Sequence, residues 1–104
     1  MPYSLDLVFK TNFVVPSVAL TANPSLIGKT GLEIFHIMMQ ALTDANIVVF
    51  LNNHNSVAAW CCNVDSEDGI WSNDAYDADK WIESLVYLAD HYALNKFVIG
   101  MDLR

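Results

Sequence analysis

Only five of the 104 residues are basic, against twelve acidic ones, and the formal net charge is −7. A phosphate backbone or an anionic membrane surface would repel such a chain, so neither nucleic acid nor membrane is expected as a partner. No run approaches the ~20 apolar residues of a transmembrane helix. The N-terminus has no basic stretch followed by an apolar core, so no signal peptide is read in this chain. Cysteine is limited to the adjacent pair Cys61 and Cys62. A bridge between neighbours closes a strained ring, and the spacing is not that of a Cys-x₂-Cys zinc half-site. There is no internal repeat and no low-complexity tract. At this length a single domain over residues 1–104 is expected.

Two amphipathic helices stand out. Thr30 followed by Glu33 is a capping-box pair, in which each side chain satisfies a free backbone N–H of the other residue. Leu32, Phe35, Met39 and Leu42 then recur at helical spacing, widened by Ile34, Ile37, Met38 and Ala41. This helix should run to about Ala45, with Asn46 suited to a left-handed exit. The second should start at Asp77, a good N-cap, and end near Leu94–Asn95. Trp81, Leu85, Leu88 and Tyr92 form its apolar stripe.

Each helix leads through a very short link into an apolar strand, expected over Ile47–Leu51 and Phe97–Leu103. Strand, helix, strand is a βαβ unit, whose strands run parallel and place their carboxyl ends on one side. Asn53, His54 and Arg104 therefore fall at one end of the sheet, with Tyr3–Asp6 if that segment ends an earlier strand. The loops from Lys10 to Lys29 and from Asn53 to Tyr76 emerge from strand ends and are the expected functional segments.

The stretch Ile47-Val48-Val49-Phe50-Leu51-Asn52-Asn53-His54-Asn55-Ser56, followed by Trp60-Cys61-Cys62, carries the strongest signal. An almost wholly apolar strand ends abruptly in amides around one histidine, as when a buried parallel strand opens into a polar site. These residues resemble glycoside hydrolase family 5, the cellulase-like (β/α)₈ enzymes. Phe97-Val98-Ile99-Gly100-Met101-Asp102-Leu103-Arg104 resembles the family's fourth barrel strand, which runs on into the Asn-Glu of the acid/base catalyst. Met1–Leu7 resembles the end of the second strand and its loop, without the arginine that usually precedes it.

The resemblance implies an α/β fold that is a partial (β/α)₈ TIM barrel, about three parallel strands and two helices, against ~250 residues for a whole barrel. The hydrophobic fraction of 54% agrees, since it exceeds the ~45–50% usual in soluble chains and barrel strands are enclosed on every side. The implied activity is retaining hydrolysis of O-glycosyl bonds in β-glucan or cellulose-type polysaccharides, without metal or organic cofactor. The implied setting is a secreted, extracellular parent.

His54 is the first candidate, because the family's substrate-binding histidine falls here. By its residues alone it could equally be a histidine satisfied by backbone groups. Asn53 and Arg104 are supporting members of the expected substrate-binding set. Trp60 and Trp71 could stack against sugar faces, or could instead anchor a long loop. Glycoside hydrolysis needs two facing carboxyl groups ~5–5.5 Å apart when configuration is retained. Glu33 and Glu83 have helical explanations, Glu67 lies in a loop, and Asp102 has no evident partner. In the resembled family both catalytic glutamates come from later strand ends, so the resemblance implies a chain that lacks both and is inactive alone.

Asp65, Glu67, Asp68 and Asp74 fail the EF-hand spacing and read as a solvated acidic loop, so no metal site is expected. Gly28-Lys29-Thr30 lacks the first glycine of a phosphate-binding loop, since Asn23 followed by Pro24 stands there. Uncovered barrel edges make self-association an expectation. A non-catalytic carbohydrate-binding remnant and an α/β interaction domain remain as alternatives.

Overall fold

The computed structural model describes residues 1–59 and 70–103. Three parallel strands form one sheet: β1 (Pro2–Ser4), β2 (Val49–Asn55) and β3 (Val98–Met101), with β2 in the middle. Among the described residues three α-helices accompany them: α1 (Leu5–Phe9), α2 (Gly31–Asp44) and α3 (Ala78–Tyr92). Parallel strands joined through helices give the expected α/β architecture, consistent with a three-strand portion of a (β/α)₈ barrel.

The helix starts form as the capping residues dictate. Thr30 Oγ1 accepts from Glu33 N at 3.2 Å, and Glu33 Oε2 accepts from Thr30 N at 2.7 Å. Asp77 Oδ1 accepts from Lys80 N at 2.8 Å. After α2, Asn46 takes φ of 59°, and Ile47 N bonds back to Leu42 O at 3.0 Å. The left-handed residue turns the chain directly into β2. Ile47 and Val48 stay outside the ladder and are exposed. The strand lies later than expected because its amide-rich end pairs with β1, Tyr3 opposite Asn53 and Ser4 opposite Asn55.

One face of β2 is buried. Val49 and Leu51 join Tyr3, Val8, Phe35, Met39, Leu88 and Tyr92 in a single core between sheet and helices. Phe50, Asn52 and His54 alternate onto the opposite face, as a period of two requires. On α2 the stripe is narrower than the sequence pattern: Phe35 and Met39 are buried, whereas Ile37 and Met38 are exposed. The two long helices meet at a histidine pair, where the rings of His36 and His91 stack with centroids 4.0 Å apart. His36 Nδ1 lies 2.6 Å from the Tyr92 hydroxyl. Burial first, and then the neighbouring His91, hold the His36 imidazole below its ordinary value.

Between Lys10 and α2 the chain forms two short 3₁₀ turns, Ser17–Leu20 and Pro24–Leu26. Gly31 N bonds to Phe13 O at 3.0 Å, which ties this loop to the start of α2.

Candidate functional site at the strand ends

The carboxyl ends of β1 and β2 open into a shallow groove of about 500 Å³, lined by Pro2, Tyr3, Ser4, His54, Asn55 and Val57–Ala59. His54 reaches it because position 54 falls on the open face of β2, two residues beyond Asn52 and four beyond Phe50. Its side chain is exposed, and Nδ1 lies 3.1 Å from Asn52 Oδ1.

Asn53 shares the strand end with His54 but projects to the other face. It is only 1% exposed, and its Nδ2 donates to Asn55 O at 3.4 Å. Its backbone N–H donates to Asp102 Oδ1 at 2.9 Å. The second oxygen of Asp102 accepts from Asn52 Nδ2. Asp102 therefore has partners that its sequence position did not reveal, and it bridges the ends of β2 and β3. The partnership follows from the register, which sets Leu51 beside Met101 and so carries Asn52 and Asp102 forward together.

A second carboxylate, Asp6, lies at the end of β1 in the first turn of α1 and is 6% exposed. Three donors converge on it: Tyr76 Oη at 2.6 Å, Ala58 N at 3.0 Å and Lys10 Nζ at 2.9 Å. Burial opposes the ionised form, but these donors outweigh it and hold the carboxyl below its ordinary value. Burial, with Asp6 as acceptor, pushes the Tyr76 phenol up to about 12. Nothing in the sequence marks Asp6 as a site-building residue, because two of its donors, Ala58 and Tyr76, come from distant segments. Their effect is to tie the loop after β2 and the segment before α3 to the end of β1.

Trp71 is 49% exposed, with its ring centroid 6.2 Å from that of Trp81. It is not among the described residues lining the His54 groove. Trp60, Cys61, Cys62, Asp65, Glu67, Asp68 and Arg104 lie outside the described residues. Glu33 is the helix cap already described, and Glu83 pairs with Lys80 at 2.7 Å on exposed α3. Among the described residues, no group of three or more His, Cys, Asp or Glu side chains is arranged to hold a metal ion. No helix among them is long and apolar enough to cross a membrane.

No family model matches the chain. It is 27% identical over 119 aligned residues to a "Glycosyl hydrolase 5 family protein" of Chamaecyparis obtusa, covering 100% of this chain and 21% of that protein. It is likewise 27% identical over 104 residues to an "Endoglucanase" of Paenibacillus polymyxa, covering 100% of this chain and 24% of that one. The chain thus spans less than a quarter of the length of these curated relatives. The similarity to glycoside hydrolase family 5 read from the strand ends is found again across the whole sequence.

Proposed function

We propose that residues 1–104 form part of a glycoside hydrolase family 5 catalytic domain and contribute one wall of its carbohydrate-binding cleft. The observation that carries this reading is the position of His54, exposed at the carboxyl end of a central parallel strand, in an open groove. That end of the sheet is where barrel enzymes build their sites. The substrate class is a β-linked glucan or related polysaccharide, in keeping with the endoglucanase among the relatives. His54 binds sugar hydroxyls, Arg104 and Trp60 are the further candidates for sugar contact, and Trp71, beside Trp81 and outside the groove, is a separate candidate platform. Asn53 supports the site through its backbone N–H on Asp102, its side chain being turned towards the helices.

Hydrolysis with retention requires a carboxyl pair across the scissile bond. Asp6 and Asp102 are the carboxylates held at the described strand ends, and each is committed to structural donors. Among the described residues no carboxyl group lines the groove, which supports a chain that binds without turnover, the parent's catalytic glutamates lying on other strand ends. The parent acts outside the cell, on a polymer too large to enter it.

The test is a titration of the chain with a soluble cello-oligosaccharide, followed by histidine ring NMR, beside an assay with a chromogenic β-glucoside. The expected result is saturable perturbation of His54, lost in His54→Ala, with no release of chromophore. Turnover by the chain that is lost in His54→Ala would overturn the division between binding and catalysis. A His54 signal indifferent to sugar would overturn the binding role.

A further inference from the structure

The side-chain amide of Asn52 is oriented by what stands on its far side. Its Nδ2 donates to Asp102 Oδ2, while Asp102 Oδ1 accepts the Asn53 N–H at 2.9 Å. A carboxylate offers only acceptors, so the amide nitrogen must face Asp102 and the amide oxygen must face away. On that other side Asn52 Oδ1 lies 3.1 Å from His54 Nδ1. An amide oxygen cannot donate, so this contact is a hydrogen bond only when Nδ1 carries a proton. In a neutral ring Nε2 is then bare.

We propose that Asn52 and Asp102 are positioning residues that hold neutral His54 as its Nδ1–H tautomer, presenting Nε2 to the groove as an acceptor for a ligand O–H. The inference deepens the carbohydrate reading and rests on it, because the O–H is that of a sugar. A ligand group able only to accept would find no proton on Nε2. The arrangement crosses from β2 to β3, so it exists only while Phe50 pairs with Gly100 and Leu51 with Met101. One strand of the sheet thus sets the proton position on another.

Long-range ¹H–¹⁵N correlation spectra of the full chain, labelled with ¹⁵N-histidine and recorded without sugar at about pH 9, where imidazoles are neutral, report which ring nitrogen bears the proton. His54→Gln assigns the signal. The expected wild-type ring is Nδ1–H. In Asp102→Asn the new amide can donate to Asn52 Oδ1, so the Asn52 amide turns over, directs Nδ2 at the ring and switches it to Nε2–H. Asn52→Ala removes the acceptor and produces the same switch while leaving Asp102 on the Asn53 N–H. Backbone amide spectra verify that each variant is folded, and a folded result from either one decides the matter. A wild-type Nε2–H ring, or a folded variant that keeps Nδ1–H, overturns the proposal.

Cello-oligosaccharide is then added to the wild-type chain. Movement of the Nε2 signal supports both the tautomer and the ligand class. An Nδ1–H ring untouched by sugar overturns the carbohydrate reading while the tautomer assignment stands.

Discussion

The phenol of Tyr76 donates to Asp6 Oδ1 at 2.6 Å, across 70 positions of sequence. This bond joins the segment leading into α3 to the end of β1, and it goes to a charged acceptor. Such bonds contribute roughly 1.5–3 kcal/mol. Tyr76→Phe is expected to destabilise the chain by about 2 kcal/mol in urea unfolding followed by circular dichroism. A change below the scatter of the urea midpoint would show that Lys10 and Ala58 hold Asp6 without it.

Asp6 also sets an acid limit. Its folded carboxyl is held below the ordinary value of 3.8, so the unfolded chain binds the proton more readily. The stabilisation is complete above that ordinary value and is lost as pH falls through the depressed folded one. Stability in wild type should therefore decline more steeply on acidification below about pH 4 than in Asp6→Asn. Parallel pH profiles of the two proteins would refute this assignment.

His36, stacked on His91, has a separate pH window. The imidazole of His36 is held below its ordinary 6.5, so protonation favours the unfolded chain. The contribution is present above that value and lost as pH falls through the lowered folded one. Tyr92 and Tyr87 also face this pair, with Tyr87 stacked on His91 at 6.1 Å. Thermal midpoints should fall between about pH 7 and pH 5, and His36→Phe should flatten the decline. An unchanged slope in the variant would place the dependence elsewhere.

Gly100 allows Phe50 to lie across it: a Cβ at position 100 would stand 2.9 Å from Phe50 Cε2. The ring is 49% exposed and free to swing aside. Gly100→Ala gains roughly 0.5–1 kcal/mol of backbone preference and loses a comparable amount to the displaced ring. The single variant should be near neutral. In a Phe50→Ala background the same change should stabilise by about 0.5 kcal/mol. A double-mutant cycle with no coupling would disprove the steric account.

The open sheet face carries Phe50, and Ile47, Val48, Ile99 and Leu94 are exposed elsewhere. The outer edges of β1 and β3 have no strand partner among the described residues. The chain is expected to self-associate with concentration in sedimentation velocity, and Phe50→Asp should weaken that association. A monodisperse monomer at every concentration would contradict it.

The helix termini and the order of elements were legible in the sequence because capping chemistry is local. Thr30 with Glu33, Asp77 with Lys80 and the left-handed Asn46 each act within a few residues. The strand boundaries were less legible. The expected strand from Ile47 begins at Val49 and continues to Asn55, because pairing with Pro2–Ser4 outweighs the apolar run. α3 stops at Tyr92, short of Leu94. The position of His54 at a strand mouth followed from parallel topology. The partners of Asp102 and Asp6 did not, since both depend on register and on side chains from distant segments. The short helix α1 also escaped, because five residues are too few to show a helical period.

The links entering β2 and β3 from the helices are only a few residues long, whereas much longer stretches of sequence separate α1 from α2 and β2 from α3. Lengthening an already long loop adds little closure entropy, about 0.6 kcal/mol per doubling. A tight helix-to-strand link such as Asn46 tolerates no such change without moving a strand. Insertions are thus best tolerated at one rim of the molecule, while the sheet that carries His54 and Asp102 stays in register.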